Sequence, residues 1–522
     1  MNFNLINFPM LNNRPLNLTL EKKLYQLIIS RLDGNKIHSE FYREKMLQLV
    51  EKNIGGFIIF GGQRYEIKNF VNQIQSVANT PLFIASDVEC GVGQQIFDTT
   101  LFPCQMAMAA AIDKNRKEDI SILESALKAL ARELIDVGIN MPLIPVLDVN
   151  QNPDNPIICT RAFSDNPDEV AWFGTKYIRL LEESGLLSCA KHFPGHGDTA
   201  TDSHLGLPVI TKSLEELSTT DLIPFRKAVE AGVSSVMMGH LVIPALDSKP
   251  ASLSEKIITD LLRKEFGFKG LVLSDALNMK ALKDFEDVST QSMRAGADVI
   301  LHPIDADLTV KELFSAVESG ALPEEQINVA VNRILKAKAK IQNKAIPFLK
   351  GDLKSGGVDY QNHRIISSQI TAMSITLLKS VNSLPTLDPE KTRVVLAGEN
   401  KFFESSPLMF FLKNVSTIPS PVQHRFSEPT VLFAIFTSVA AWKGSAGIDE
   451  EQRNQIVELV KMAKTSIVIS FGCPYVLRYF KKADILIAAY EATEQAQMSV
   501  IKCLQGEIEF KGRLPVQINF SE

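Results

Sequence analysis

Short apolar runs recur along the first 300 or so residues, separated by longer amphipathic stretches. The runs lie near 25–32 and at 55–61, 81–87, 139–149, 186–193, 234–243, 270–276 and 297–303. Each is nearly continuous in Val, Ile, Leu, Phe, Ala and Met rather than alternating, the pattern of a strand buried on both faces. Between them, segments such as YEIKNFVNQIQSVA and EDISILESALKALARELIDVG place apolar residues three and four apart, which predicts amphipathic helices. Strand and helix in alternation imply a parallel sheet covered by helices. Eight such units over this length predict an α/β fold of the (β/α)8 TIM-barrel type, with an open doubly wound sheet as the second choice.

The barrel is expected to end with the helix at 324–341. A polar, glycine-containing stretch follows at 347–363 and reads as a linker. Apolar runs then resume at 392–398, 430–438, 465–472 and 483–490, which predicts a smaller α/β sandwich. The resulting division is a barrel catalytic domain over 1–346, a linker over 347–365 and a sandwich domain over 366–522.

Composition narrows the function without naming it. Of 522 residues, 45% are hydrophobic and 22% charged, with a net charge of −5, so no basic surface points to nucleic acid or an anionic membrane. No apolar run reaches the roughly 18 to 20 residues that a membrane span needs. The first residues show no charged start, apolar stretch and small-residue cleavage site of a signal peptide. Six cysteines lie apart, with no CxxC pair. Together these predict a cytoplasmic protein with no nucleic-acid or membrane partner.

In a barrel, chemistry collects at the C-terminal ends of the strands. Those positions here carry Asp87 and Glu89, Asp148, Lys191 and His192, His240, Asp275, and His302. The densest segment, KHFPGHGDTATDSH at 191–204, holds three histidines, two aspartates and a lysine. Pro194, Gly195 and Gly197 break any helix, so His192 and His196 sit on a loop. If the stretch is extended, Asp202 and His204 point to the same side. The carboxylate then fixes the imidazole tautomer and leaves the second nitrogen to give or take a proton. Spacing alone is also compatible with a loop histidine beside a chance acid. Asp275, after GLVLS, reads either as a carboxylate facing the barrel mouth, able to attack an anomeric carbon, or as the N-cap of a following helix.

The run K-H-F-P-G-H-G-D-T-x-x-D-S-H resembles the motif of glycoside hydrolase family 3 β-N-acetylhexosaminidases, in particular bacterial β-N-acetylglucosaminidases of cell-wall recycling. Supporting segments agree in order: GGFIIFG at 55–61, ASDVECG at 85–91, INMPLIPVLDVN at 139–150, CTRAFSDNPDEV at 159–170, SDAL at 274–277, and GRLPV at 512–516. The resemblance implies Asp275 as nucleophile, His204 as acid/base and Asp202 as its partner. It further implies that Asp87, Arg161, Lys191 and His192 hold sugar hydroxyls, with His196 in the same binding loop. No cofactor and no metal is implied. The implied substrate is a saccharide or muropeptide carrying N-acetylglucosamine. Cys90, where a glycine is usual, and Ser164-Asp165 depart from the family pattern.

Four other readings stand beside this one. A family 3 β-glucosidase usually has a tryptophan after its nucleophile, whereas Ala276 follows here. A phosphorylase is compatible with a histidine acid/base, which repels an incoming phosphate less than a carboxylate does. A metal-dependent hydrolase would use His192, His196, Asp198 and His204 as ligands. A non-catalytic sugar-binding protein would have no need for the set Asp202, His204 and Asp275.

Overall fold

The computed structural model describes residues 18–352, 357–381, 387–418, 426–440 and 443–520. The first 17 residues, and with them the reading of the N-terminus, lie outside the described residues.

Eight parallel strands alternate with helices along the first part of the chain: β1 (Ile28–Asp33), β2 (Gly56–Phe60), β3 (Phe83–Ser86), β4 (Met141–Pro142), β5 (Cys189–Phe193), β6 (Ser235–Met238), β7 (Leu271–Leu273) and β8 (Ile300–Leu301). They form two arcs, β4-β3-β2-β1-β8 and β5-β6-β7. Single parallel bridges, Val146↔Lys191 and Leu273↔Val299, connect the arcs at their two seams. At the first seam β4 is only two residues long. Pro142 and Pro145 have no N–H to give to a ladder, so regular pairing stops there.

The predicted helices are present as Arg64–Val77 and Lys117–Val137, each burying its apolar stripe against the strands. Gly138 ends the second in a left-handed conformation that a side chain would disfavour. The first apolar run differs from expectation. Leu20–Gln26 is a helix capped by Thr19, and the strand starts only at Ile28. The region expected as a linker carries the end of the helix Glu324–Asp352 and the start of the helix Tyr360–Ser374.

The second unit is a six-stranded sheet in the order β11-β10-β12-β13-β14-β9. Its strands are β9 (Thr376–Ser380), β10 (Thr392–Gly398), β11 (Asn414–Thr417), β12 (Thr430–Phe436), β13 (Thr465–Phe471) and β14 (Ile485–Ala488), with β9 antiparallel to β14. The four central strands match the four apolar runs. The edge strands β9 and β11 are mostly half-exposed and contain Lys379, Ser380, Asn414, Ser416 and Thr417, so no apolar run marks them.

The central strands are buried on both faces. Val394, Leu396, Leu432, Ala434, Phe436, Ile467 and Ile469 pack on one side. Val395, Ala397, Val431, Phe433, Ile435 and Val468 pack on the other, in one cluster with Cys104, Met106, Ala107, Ala110 and Cys159 of the barrel unit. The two units therefore share a core. Among the described residues no helix is long and apolar enough to cross a membrane.

Candidate active site

A cavity of about 470 Å³ opens at the C-terminal ends of the barrel strands. Its lining includes Asp87, Arg161, Lys191, His192, His196, His204 and Asp275, seven of the eight residues to which the family resemblance gives a role. The eighth, Asp202, is buried behind His204.

One wall is a chain of charges. Lys191, in the middle of β5, donates to Asp87 Oδ1 at 2.7 Å and lies 2.6 Å from Glu89 Oε1. Arg161 grips the same Glu89 with two nitrogens, at 2.8 and 2.9 Å. Burial alone would raise the Glu89 carboxyl, but the neighbouring Arg161 and Lys191 charges hold it well below the usual carboxylate range. The same contacts lift Lys191 and Arg161 above their ordinary values against the opposing effect of burial. Glu89 thus fixes both cations, while Asp87 is only partly covered and keeps acceptor capacity towards the cavity.

Asp148, after β4, organises the next wall. It is fully buried and accepts from His192 Nδ1 at 2.7 Å, from His192 N at 3.2 Å and from His196 N at 2.7 Å. Despite burial, its carboxyl is held below its ordinary value by these two histidines. The other nitrogen of His192 faces Arg161 at 3.4 Å.

His196 is different. The Thr199 hydroxyl donates to His196 O, so its oxygen accepts from His196 Nδ1–H at 2.8 Å. Ser203 Oγ then donates to Nε2 at 3.1 Å. Burial lowers this imidazole to about 4, which agrees with a neutral ring. Both nitrogens are committed to the loop that carries His204, leaving neither for a sugar hydroxyl in this arrangement.

Asp202 and His204 meet as expected, but by another backbone geometry. Leu205 and Gly206 both donate to Asp202 O, so the segment is a turn rather than an extended stretch. Asp202 Oδ1 accepts from His204 N at 2.8 Å and from His204 Nδ1 at 2.9 Å. The loop is braced below by Gly197, where an added Cβ would meet Val149 O at 1.9 Å.

Asp275 follows β7 and takes the Ala276 N–H at 2.7 Å. No helix begins there; a turn leads to the short 3-10 segment Lys280–Leu282, so the N-cap alternative does not hold. Burial raises its carboxyl, but His240, His192, the Ala276 N–H and His204 together bring it below the ordinary value. His240 Nε2–H donates to Ala276 O at 3.2 Å and Ser252 Oγ donates to Nδ1 at 2.8 Å, so this buried histidine steadies the Asp275 turn.

Glu89, Asp148 and His240 are the supports that motif reading passes over. All three were marked only by their position at strand ends. The second unit also reaches the cavity, through Val439 and Ala440. Among the described residues no three His, Cys, Asp or Glu side chains converge as a metal site would require.

The family model described as the glycosyl hydrolase family 3 N terminal domain matches residues 19–337. Beta-hexosaminidase A of Pseudoalteromonas piscicida is 32% identical over 403 residues, 70% of this chain and 66% of that protein. A Cellulomonas fimi protein named beta-N-acetylglucosaminidase/beta-glucosidase is 31% identical over 341 residues, 63% of this chain and 59% of that one. The chain thus spans less than two thirds of the length of these two curated relatives. Among solved structures, a glycoside hydrolase family 3 beta-N-acetylglucosaminidase from Paenibacillus sp. str. FPU-7 is similar with a TM-score of 0.79 and 28% identity, covering 97% of this chain and 100% of that one. With the strand-end cavity and the 191–204 loop, these matches show that the chain belongs to glycosyl hydrolase family 3.

Proposed function

We propose that the protein is a retaining β-N-acetylglucosaminidase that cleaves terminal β-linked N-acetylglucosamine, with Asp275 as nucleophile and His204 as acid/base. The observation that carries this reading is convergence. One cavity of sugar size holds a carboxylate kept ionised, an Asp-oriented histidine and a fixed set of charged hydrogen-bonding groups.

Asp87, Lys191, Arg161 and His192 would bind the hydroxyls of the terminal sugar. Charge-assisted hydrogen bonds to a neutral pyranose fix its orientation and place C1 against Asp275. His196 is assigned to holding the loop. In the first step an Asp275 oxygen bonds to C1 as the C1–O bond to the leaving group breaks, and His204 Nε2 gives its proton to the departing oxygen. In the second, a water loses its proton to Nε2 and attacks C1, releasing Asp275. Asp202 keeps Nδ1 protonated and the ring aimed through both steps. Proton and charge return to their starting state after one turnover, so the two steps call for no cofactor.

We take residues 1–346 as the catalytic unit, 366–522 as the supporting sandwich and 347–365 as their connection. The natural substrates we infer are peptidoglycan-derived fragments, processed in the cytoplasm. All six cysteines are free, which suits a reducing compartment.

The test compares initial rates on an aryl β-N-acetylglucosaminide and the matching β-glucoside, with chelator and without phosphate. The reading predicts strong preference for the acetamido sugar, with no effect of the chelator and no need for phosphate. Preference for the glucoside, dependence on added phosphate, or loss of activity with chelator would each replace it.

A further inference from the structure

The cysteine thiols take no part in the proposed mechanism, yet three of them gather where the second unit packs on the barrel unit. Cys104, Cys159 and Cys473 are buried in one cluster there. Asn150 spans the boundary between the last two. Its Oδ1 accepts from Cys159 N at 2.9 Å, and its Nδ2 donates at 3.1 Å to Oη of Tyr475, two residues past Cys473. The Cys159 thiol lies within reach of the Cys473 sulfur as a donor. Cys104 is engaged elsewhere, its sulfur 3.9 Å from Tyr490 O.

The two ends of this pair belong to different units. Cys473 follows β13 and is fixed to the sheet: its N–H donates to Thr437 Oγ1 at 2.9 Å, and its carbonyl accepts from Ser470 Oγ at 2.7 Å. Cys159 opens the 3-10 turn Cys159–Arg161, whose Thr160 and Arg161 line the catalytic cavity. A change at the Cys159 sulfur is therefore felt two residues from a proposed sugar contact.

Access and reactivity single out Cys473. It lines a surface cavity of about 100 Å³ rimmed by the exposed Pro153, Asp154 and Ser445, room for a molecule as small as hydrogen peroxide. The thiolate is the reacting form of a cysteine. Burial pushes Cys189 up to about 11 and Cys503 up to about 12, and lifts Cys90 and Cys104 well above their ordinary value. Cys473 is brought down instead, because the Cys159 thiol and the N–H groups of Tyr475 and Val476 stabilise its anion against burial.

We propose that Cys473 and Cys159 form a redox site that hydrogen peroxide closes to a disulfide, tying the second unit to the turn that carries Arg161. The Cys473 sulfur attacks one peroxide oxygen and the O–O bond breaks. Cys473 becomes a sulfenic acid, and the second oxygen departs as water with the thiol proton. The Cys159 sulfur then attacks the Cys473 sulfur. The S–S bond forms, the S–O bond breaks, and the hydroxyl leaves as water with the Cys159 proton. Two thiols have lost two electrons and one peroxide has become two waters. A disulfide holds its sulfurs about 2.05 Å apart, far inside the contact distance of two thiols, so the Cys159–Arg161 turn is pulled and Arg161 loses its alignment on Glu89. A dithiol reductant reverses the linkage by exchange. The effect on turnover rests on the hydrolase reading above; the linkage itself does not.

The test treats the full chain with hydrogen peroxide, removes the excess with catalase, and maps its peptides by mass without reductant. The expected product links the peptides containing Cys159 and Cys473. With it, kcat/KM on an aryl N-acetylglucosaminide falls about tenfold and returns with dithiothreitol. Cys473→Ser keeps the untreated rate and loses the peroxide response, and Cys473→Ala serves if serine disturbs the packing. Cys159→Ser leaves Cys473 as a sulfenic acid that dimedone labels. No cross-link, a cross-link between other cysteines, or a peroxide effect that persists without Cys473 overturns the proposal. A cross-link that leaves kcat/KM unchanged overturns its coupling to Arg161. Inactivity of the untreated protein would remove the hydrolase reading, while the peptide map still decides the redox site.

Discussion

Without the Glu89 carboxylate, the buried Lys191 and the partly buried Arg161 would be two cations with a shared partner missing. Removing one member of a buried ion pair costs about 3 to 5 kcal/mol, since the remaining charge stays desolvated. Glu89→Gln keeps the volume and loses the charge. It is expected to lower stability by about 3 kcal/mol in urea unfolding and to reduce kcat/KM by about a hundredfold. Unchanged values would mean that the two cations are held by other groups. His196 gives a second prediction, in pH. In the folded chain its imidazole sits near 4 against an ordinary 6.5, so between these values the unfolded chain binds a proton that the folded chain does not. Stability therefore falls as pH drops from about 6.5 to about 4, by on the order of 3 kcal/mol from this group. His196→Asn should flatten the urea midpoint over that window; an unaltered slope would exclude His196 as its source. Adjacent residues differ in how well the sequence exposes them. The Asp202–His204 contact is local and follows from two-residue spacing, although the backbone there turns rather than extends. Glu89–Arg161 joins residues 72 apart, and its geometry exists only once β3 and the loop after β4 are side by side.

The loop from Phe193 to His204 is the element on which the proposed proton transfer depends. It has no regular hydrogen-bond ladder and is held instead by Asp148, by His196 with Thr199 and Ser203, and by the passage of Gly197 over Val149. Asn155 adds bonds from Nδ2 to the carbonyls of His196 and Gly197, both at 3.0 Å. A Cβ at position 197 meets backbone, not a movable side chain, so the loop must shift to admit it. Gly197→Ala is expected to lower kcat by at least tenfold on a poor leaving group, and much less on an activated one whose departure needs no proton. Equal loss on both would indicate general damage rather than a displaced acid. At this scale the sequence was informative where apolar runs are long and buried on both faces. It was silent for β9 and β11, which lie at sheet edges and are only partly buried.

The two units are joined through a common apolar cluster and by polar contacts that cross between them. Tyr475 Oη accepts from Asn150 Nδ2 at 3.1 Å, Ser164 Oγ donates to Pro515 O, and Asp165 accepts from Gln517 N at 2.6 Å. Ser164 and Asp165, where the chain departs from the family pattern, thus hold the second unit against the barrel. Cys104 and Cys159 belong to that cluster, and Cys90 packs against it. Calorimetry should accordingly show a single unfolding transition for the described chain. Two well-separated transitions would mean that the shared cluster does not couple the units. This union was not visible in the sequence. A small sandwich after a polar stretch gives no sign of which face it presents, nor that Val439 and Ala440 reach the cavity.

The central claim is that Asp275 carries the sugar covalently while His204 handles protons, and one measurement addresses both. His204→Ala is mixed with an N-acetylglucosaminide of a dinitrophenol, which leaves without a proton, and the protein mass is recorded at short times. The account predicts build-up of protein heavier by one N-acetylglucosaminyl group, located on the peptide containing Asp275, because formation proceeds and hydrolysis lacks its base. Rapid turnover with no adduct, or an adduct on any other residue, would contradict it.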